Sequence, residues 1–373
     1  MNQHGWTYKK LEDTCNIDYG TRVVQKKDKG TTYYVYGGGG ATFMVDMYNR
    51  EDCFIISRFA MSPKCTRFVK GKFFLNDSGL SVSTNNASLS QRFLDKVLLA
   101  NNDNIYLMGK GLAQRNLDMP SFKKLIIPIP PIEEQERIVG ELDLISSIIE
   151  KKKAQLNEYD RLAQSIFYSM FGDPITNEKG WERDELQSIY KVTSSKRVLQ
   201  TEWQNNGVPF YKVADIVSLI NGNSINPSTF IKESTYDGLQ KANLVPKAGD
   251  ILVTSRGTLG LCYIIKENDK FYFQDGMITW LSQKEKKVFP EYIKAVFASN
   301  SFSESLLRSA NSSTVAYISI NQLSKRNIPV PPLALQQEFA EKVEAIERQK
   351  ALVRASIVET ETLFNSRMDY YFN

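Results

Sequence analysis

Few side chains in this sequence could perform catalysis. His4 is the only histidine in 373 residues. With one imidazole near the N-terminus, neither a Ser-His-Asp relay nor a histidine-rich zinc site can be assembled. Four cysteines, Cys15, Cys53, Cys65 and Cys262, form no CxxC pair and match no zinc or disulfide framework. Their spacing predicts reduced thiols of a cytoplasmic protein. Asp275, followed by Glu285, Lys286 and Lys287, has the residue order of a magnesium-binding nuclease site. The stretch "QKEKK" nevertheless reads as an exposed charged turn. "YGGGG" (36–40) lacks the spacing of a nucleotide-binding loop and reads as a turn or a close approach of backbone. The Asn/Asp-Pro-Pro-aromatic tetrad that a self-contained adenine methyltransferase would need does not occur.

Charge is more informative. The net charge is +5, but residues 1–127 hold 18 Lys+Arg against 11 Asp+Glu, and residues 173–328 hold 19 against 16. Residues 128–172 hold 5 against 8, and residues 329–373 hold 5 against 7. Two basic lobes alternate with two acidic segments, which suits a protein whose lobes meet nucleic acid. No apolar run approaches a membrane span, and "MNQHGWTYKK" has no signal-peptide core.

The elements that would carry such lobes are written twice. "PIPPIEEQERIVGELDLI" starts at Pro128 and "PVPPLALQQEFAEKVEAI" at Pro329, an offset of 201 without a gap. Upstream the copies also match: Gly5-Trp6 with Gly180-Trp181, "TRVVQ" (21–25) with "KRVLQ" (196–200), "ISR" ending at Arg58 with "TSR" ending at Arg256, and "FFLNDSG" (73–79) with "FYFQDGM" (271–277). The offset drifts from 175 to 201, so the second copy carries insertions within its globular part. A twofold repeat is too short for a solenoid and calls for two copies of one fold.

Within each copy "DILVTSRG" (250–257) and "KFYFQDGMITWL" (270–281) read as strands, and "SQRFLDKVLLA" (90–100) and "PEYIKAVFAS" (290–299) as helices. Each lobe is therefore expected to be α+β. After each proline stretch, apolar residues recur in steps of four and three. The first series is Ile138, Leu142, Ile145, Ile149, Leu156, Tyr159, Ala163, Ile166 and Met170, broken at Lys152. The second is Phe339, Val343, Ile346, Val353, Ile357, Phe364 and Tyr371, broken at Lys350, Thr360 and Arg367. That period predicts two coiled-coil helices of about 33 residues, roughly 50 Å each. Two such stripes in one chain most simply pair with each other. The competing reading is that each helix packs on its own lobe. Prolines 128, 130 and 131, and again 329, 331 and 332, hold the chain extended before each helix.

In these features the whole chain resembles the specificity subunits of type I restriction–modification enzymes. The resemblance rests on the proline entries with their Gln-Glu helix starts, on "GDILVTSRGTLG" (249–260), and on the loops "GKGLAQRNLD" (109–118) and "SANSSTVAYIS" (309–319), all in tandem. The first copy departs from it after Arg58, reading "FAMSPKC" where the second has "GTLG". The resemblance implies two tandem globular α/β target recognition domains separated by an intramolecular antiparallel two-helix coiled coil. The boundaries would be 1–127 and 173–328 for the recognition domains, and 128–172 and 329–373 for the helices with their proline ramps. It implies a non-catalytic reader of a bipartite, asymmetric double-stranded DNA target, located in the cytoplasm. The reader would scaffold two methyltransferase subunits that bind S-adenosylmethionine and methylate adenine at N6, and restriction–translocase subunits could join. No cofactor of its own is implied. Longer or shorter helices would change the unread gap between the half-sites.

In such a reader Lys and Arg hold phosphates, Arg reads guanine, and Asn or Gln reads adenine in the major groove. The loop candidates are Arg22, Lys26, Lys27, Arg58, Lys110, Gln114 and Arg115 in the first lobe. In the second they are Lys196, Arg197, Lys212, Arg256, Asn311 and Thr314. Against each stands a solvated surface charge, and against Arg58 and Arg256 a structural ion pair. The rival functions are a methyltransferase or nuclease fused to recognition domains, and a coiled-coil scaffold with no role on DNA.

Overall fold

A computed structural model describes residues 5–372 except Gly38, Ala113, Ser224 and 311–315. His4 and the candidates Asn311 and Thr314 lie outside the described residues. Contacts divide the chain into two compact units, Met1–Lys153 with Arg354–Asn373, and Ala154–Val353.

Both units begin alike. In the first, strand Thr7–Lys10 leads through the one-turn helix Leu11–Thr14 into strand Cys15–Tyr19. In the second, Arg183–Glu185 leads through Leu186–Ile189 into Tyr190–Thr193. The opening strand pairs antiparallel with the strand that carries the first ramp proline, Ile126–Ile129 in one unit and Asn327–Pro329 in the other. Proline is tolerated there because each of these sheets has only two strands.

The main sheet of the first unit has the order Cys15–Tyr19, Gly79–Thr84, Arg50–Ser57, Thr66–Leu75, Tyr33–Tyr36, Ala41–Val45. All its neighbours are antiparallel except Tyr33–Tyr36, which runs parallel to Thr66–Leu75. The second unit repeats this order as Tyr190–Thr193, Ile278–Gln283, Ile251–Thr254, Cys262–Ile264. Its counterpart of the parallel pair, Val208–Tyr211 with Tyr272–Phe273, stands in a separate three-stranded sheet closed by Phe230–Ile231. The long strand Thr66–Leu75 is thus divided into two in the second copy. "KFYFQDGMITWL", read as strand throughout, breaks at Gly276, whose φ of 68° starts a new strand at Ile278.

Registers agree with the repeat. Ser57 faces Gly79 in the first unit. At the offset of 198 that joins Arg58 to Arg256, the equivalents are Ser255 and Met277, and Ser255 N donates to Met277 O at 2.9 Å. The insertion in the second unit is a separate layer, with helices Val213–Ile220 and Glu233–Lys241. Val208, Phe210, Ile231, Tyr236, Leu239 and Tyr272 form a small core beneath it. On either side of "YGGGG", Tyr36 and Ala41 face each other in an antiparallel pair. A Cβ on Gly37 would come within 2.3 Å of Ser78 Oγ, so the glycine allows the close approach.

Two long helices, Ile132–Phe171 and Leu333–Phe372, each span 40 residues, about 60 Å. This exceeds the expected 33 because the first helical turns, "IEEQER" and "LALQQE", carry little of the apolar stripe. The helices pair antiparallel. In the first unit Tyr371 Oη donates to Glu141 Oε2 at 2.6 Å, Arg367 pairs with Glu141, and Lys152 Nζ donates to Ser356 Oγ and Thr360 Oγ1 at 2.7 Å. In the second Lys350 Nζ meets Asp160 Oδ1 at 2.6 Å, and Phe339 packs on Phe167 and Phe171. Polar breaks in the stripe are therefore paired across the seam.

Ile138, Leu142, Ile145, Phe339, Ile346 and Ile357 are buried, and Ile149, Leu156, Ile166, Val343, Val353 and Phe364 are half-buried. Near the end of the first helix burial shifts by one position, to Phe167 and Phe171. A 3.5-residue stripe on a 3.6-residue helix drifts by about 20° per heptad, and after four heptads the adjacent position faces the partner.

A buried glutamine fastens each helix to its lobe. Gln135, fully buried, accepts from Ser90 N at 2.8 Å and donates to Ser88 O and Pro130 O at 2.7 Å each. Gln336, equally buried, accepts from Phe289 N at 2.9 Å and donates to Lys287 O at 3.2 Å and Pro331 O at 2.7 Å. In each case the acceptor bond goes to the N-cap residue of a lobe helix, Gln91–Ala100 or Pro290–Ala298. One side chain thereby fixes the proline ramp, the lobe and the start of the long helix together.

Candidate nucleic-acid interface

In the first unit the candidate side chains gather where three neighbouring strands end. Tyr19 closes one strand, Ser57 the next but one, and the turn before Gly79 lies between them. Gly20 N donates to Gly79 O at 3.0 Å, and Arg58 N donates to Ser78 O at 2.8 Å. A Cβ on Gly20 would lie 2.0 Å from Asn76 O, so only glycine lets the chain pass the turn this closely. The loop "GKGLAQRNLD" is laced onto the same edge: Leu117 N donates to Arg58 O at 2.8 Å and Met61 N to Arg115 O at 2.9 Å. Its hairpin pairs Lys110 with Asn116.

The guanidinium of Arg58 lies 4.6 Å from the ring centroid of Tyr19 and 4.4 Å from that of Phe59. Among the described residues no ion pair engages it, so the structural ion pair weighed for this position is not formed. Arg115 stacks 4.9 Å over Tyr106 and donates to Tyr106 O at 3.4 Å. Lys110 pairs with Asp118 at 2.9 Å. Asp118 caps the helix Met119–Lys123, and the Ser121 hydroxyl and the Lys110 ammonium hold its carboxyl below the usual range. Lys110 therefore anchors the loop as well as lending charge. Gln114 is exposed at the loop tip, where a Cβ on Gly111 would lie 2.2 Å from Gln114 O. Arg22, Lys26 and Lys27 are exposed beyond Tyr19, the lysines within the short helix Gln25–Asp28. From Arg58 to Lys72 the chain has five cationic residues and no acidic one.

The second unit builds the same edge with different side chains. Ser194 Oγ accepts from Gly276 N at 3.0 Å and donates to Ile278 O at 3.1 Å, bracketing the turn that corresponds to 76–79. Arg256 follows the equivalent strand, is exposed, and forms a backbone bridge with Tyr317. Gly257 N donates to Ala316 O at 3.0 Å, so the segment beside the undescribed 311–315 is laced on as in the first unit. Lys196 and Arg197 are exposed, and the Tyr272 hydroxyl clasps the Lys196 backbone, accepting from its N–H at 2.8 Å. Lys212 is half-buried with its ammonium 4.8 Å from the Trp203 ring centroid. The edges thus share a backbone and differ in their rings: where the first has Tyr19, the second has serine.

Sequence reasoning missed those rings. Tyr19, Phe59, Tyr106 and Trp203 each underlie a candidate cation. The "RF" pair at Arg58-Phe59 and the "DYG" at the strand end carry the signal. Glu285 is bridged by Lys287 at 2.9 Å, and among the described residues no group of three or more His, Cys, Asp or Glu could hold a metal. All four cysteines are free, and burial pushes the thiols of Cys65 and Cys262 up to about 11 and about 12. Among the described residues no helix is long and apolar enough to cross a membrane.

A duplicated α+β unit with cation-bearing loops at one sheet edge, joined to paired long helices, has the build of a two-headed DNA-binding protein. The particular family follows from its sequence: the profile of the type I restriction modification DNA specificity domain matches residues 3–158 and 178–361, and the chain belongs to that family. A specificity subunit assigned to a type I restriction enzyme of Haemophilus influenzae is 23% identical over 376 residues, covering 98% of this chain and 93% of that one. The MjaIX specificity subunit of Methanocaldococcus jannaschii is 26% identical over 59% of this chain and 53% of its own length. The fold is that of the type I S subunit from M. genitalium, with a TM-score of 0.53 at 15% identity over 99% of this chain and 96% of that one. A chain from a structure of type I complex assembly and conformational transition gives 0.54 at 16% identity, over 99% and 98%.

Proposed function

We propose that the chain reads a bipartite, asymmetric double-stranded DNA target, one half through the loop edge of each unit, within a cytoplasmic type I restriction–modification complex. Two methyltransferase subunits would bind it and hold S-adenosylmethionine. Restriction–translocase subunits would complete the assembly, and this chain needs no cofactor of its own. Recognition domains at 1–127 and 173–328 would do the reading, and the segments 128–172 and 329–373 would set the gap between half-sites.

The observation that carries this reading is the repeated edge. Arg58 and Arg256 occupy one backbone position, laced to one type of loop, with unlike neighbours. A shared frame with divergent side chains is what two different half-sites require. The test compares methylomes of the source organism with and without the gene. Loss of one split N6-methyladenine motif is expected. An unchanged methylome, or loss of a continuous motif, refutes the proposal. With the purified complex, affinity for duplex DNA should fall steeply with salt, because phosphate contacts release counterions.

A further inference from the structure

Among the described residues Arg58 lies against two rings, whereas Arg115 lies over one and the other candidate cations of the first unit over none. A free arginine loses considerable rotamer freedom when it binds, and that loss subtracts from affinity. Here the guanidinium already lies against two rings, at 4.6 Å from Tyr19 and 4.4 Å from Phe59. Its backbone N–H is tied to Ser78 and its carbonyl to Leu117, so both the side chain and its root are fixed. No ion pair among the described residues uses its donor fork, and contact with aromatic rings leaves those in-plane N–H donors available. Lys110 spends its charge on Asp118, and Arg115 donates to Tyr106 O. Arg22, Lys26 and Lys27 lack a comparable hold.

We infer that Arg58, shelved on Tyr19 and Phe59, reads a guanine in the major groove and so fixes a G·C pair in the half-site of the first unit. The inference rests on the DNA-reading function proposed above and names the residue and base class that carry it. A planar fork matches guanine O6 and N7 together, whereas lysine offers a point charge. Phosphate contact would need no such fixed orientation. Arg256 lacks the shelf, since serine replaces Tyr19 at the equivalent strand end, so the second unit is not expected to read guanine from this position.

The experiment uses the full chain assembled with its methyltransferase subunits, as wild type, Arg58→Lys, Arg58→Ala and Tyr19→Ala. Binding is measured to the cognate duplex and to duplexes with each motif base pair replaced in turn, at two salt concentrations. Arg58→Lys should lose roughly ten- to a hundredfold on the cognate duplex. It should lose nothing further once one particular G·C pair has been replaced, and should bind unrelated DNA as wild type does. Tyr19→Ala should show a smaller loss at that same pair, which separates orientation from mere charge. If Arg58→Lys binds the cognate duplex like wild type, while Arg58→Ala weakens all duplexes alike and lowers the salt slope by about one, Arg58 is a phosphate contact and the inference fails. If the wild-type complex prefers no split motif, the proposed function itself fails, whatever the variants do.

Discussion

Replacing Gln135 by alanine should cost this protein about 3 kcal/mol. The side chain is fully buried and makes three hydrogen bonds, to Ser90 N at 2.8 Å and to Ser88 O and Pro130 O at 2.7 Å. Each is worth about 1 kcal/mol net, and the partners left behind can bond no other side chain without rearrangement. At roughly 2–4 °C per kcal/mol for a unit of this size, the melting temperature of the first unit should drop by about 6–12 °C. Calorimetry reads the drop, and hydrogen exchange reads its cause. The Ser90 amide should lose most of its protection, since its only acceptor is removed.

Gln135→Glu sharpens the argument. It keeps the acceptor but turns two donors into a carboxylate facing two carbonyls, so at neutral pH it should be worse than alanine. Protonation restores one donor, so the deficit should shrink as pH falls below the raised folded-state value of that carboxyl. Gln336→Ala should behave alike in the second unit, somewhat more mildly, because its bond to Lys287 O is 3.2 Å. A Gln135→Ala protein that melts within about 2 °C of wild type, with Ser90 still protected, would show that the glutamine is incidental to the joint.

Two other perturbations probe different parts of the molecule. Burial pushes Asp95 up to about 6 from its ordinary 3.8, against the hydrogen bond from Gln91 and the charge of Lys96. A carboxyl with a raised folded-state pKa costs stability once ionised. The penalty should therefore grow from pH 4 to pH 6 and stay constant above. Asp95→Asn should accordingly gain up to about 3 kcal/mol at pH 8, less as far as solvent reaches the carboxyl, and nothing at pH 3.5, as read by urea unfolding; an equal gain at both would refute the reasoning. At the helix seam Lys350, with a side chain 9% exposed, meets Asp160 at 2.6 Å and Glu347 at 2.7 Å. Lys350→Leu should be neutral or stabilising, whereas removing both carboxylates should cost about 1–3 kcal/mol by stranding the ammonium; loss of stability in Lys350→Leu would overturn this.

How far the sequence reaches depends on what each feature owes to local pattern. The duplication was legible because it is written in residues with backbone consequences: prolines that hold the ramp, glycines at turns, and strand ends such as "ISR" and "TSR" whose alignment reproduces the sheet register. The paired helices were legible from their period. Their length was not, because the first turn of each trades apolar residues for a glutamine that faces the lobe. Nor was the shift of burial to Phe167, which accumulates from a tenth of a residue per turn and has no mark at any single position.

The sequence offers the cations of the proposed reading edge but says nothing of what surrounds each one. Arg58 and Arg256 share a motif and a backbone, and the sequence treats them as equals. What separates them is Tyr19, 39 positions upstream of Arg58, which reaches it only because Cys15–Tyr19 and Arg50–Ser57 flank one strand and Gly20 lets the turn close between them. If Arg58 reads a base as inferred, substitution at that remote strand end would change what an arginine of unchanged sequence context can read. A family that keeps its sheet register while exchanging residues at strand ends can alter its targets without altering its fold.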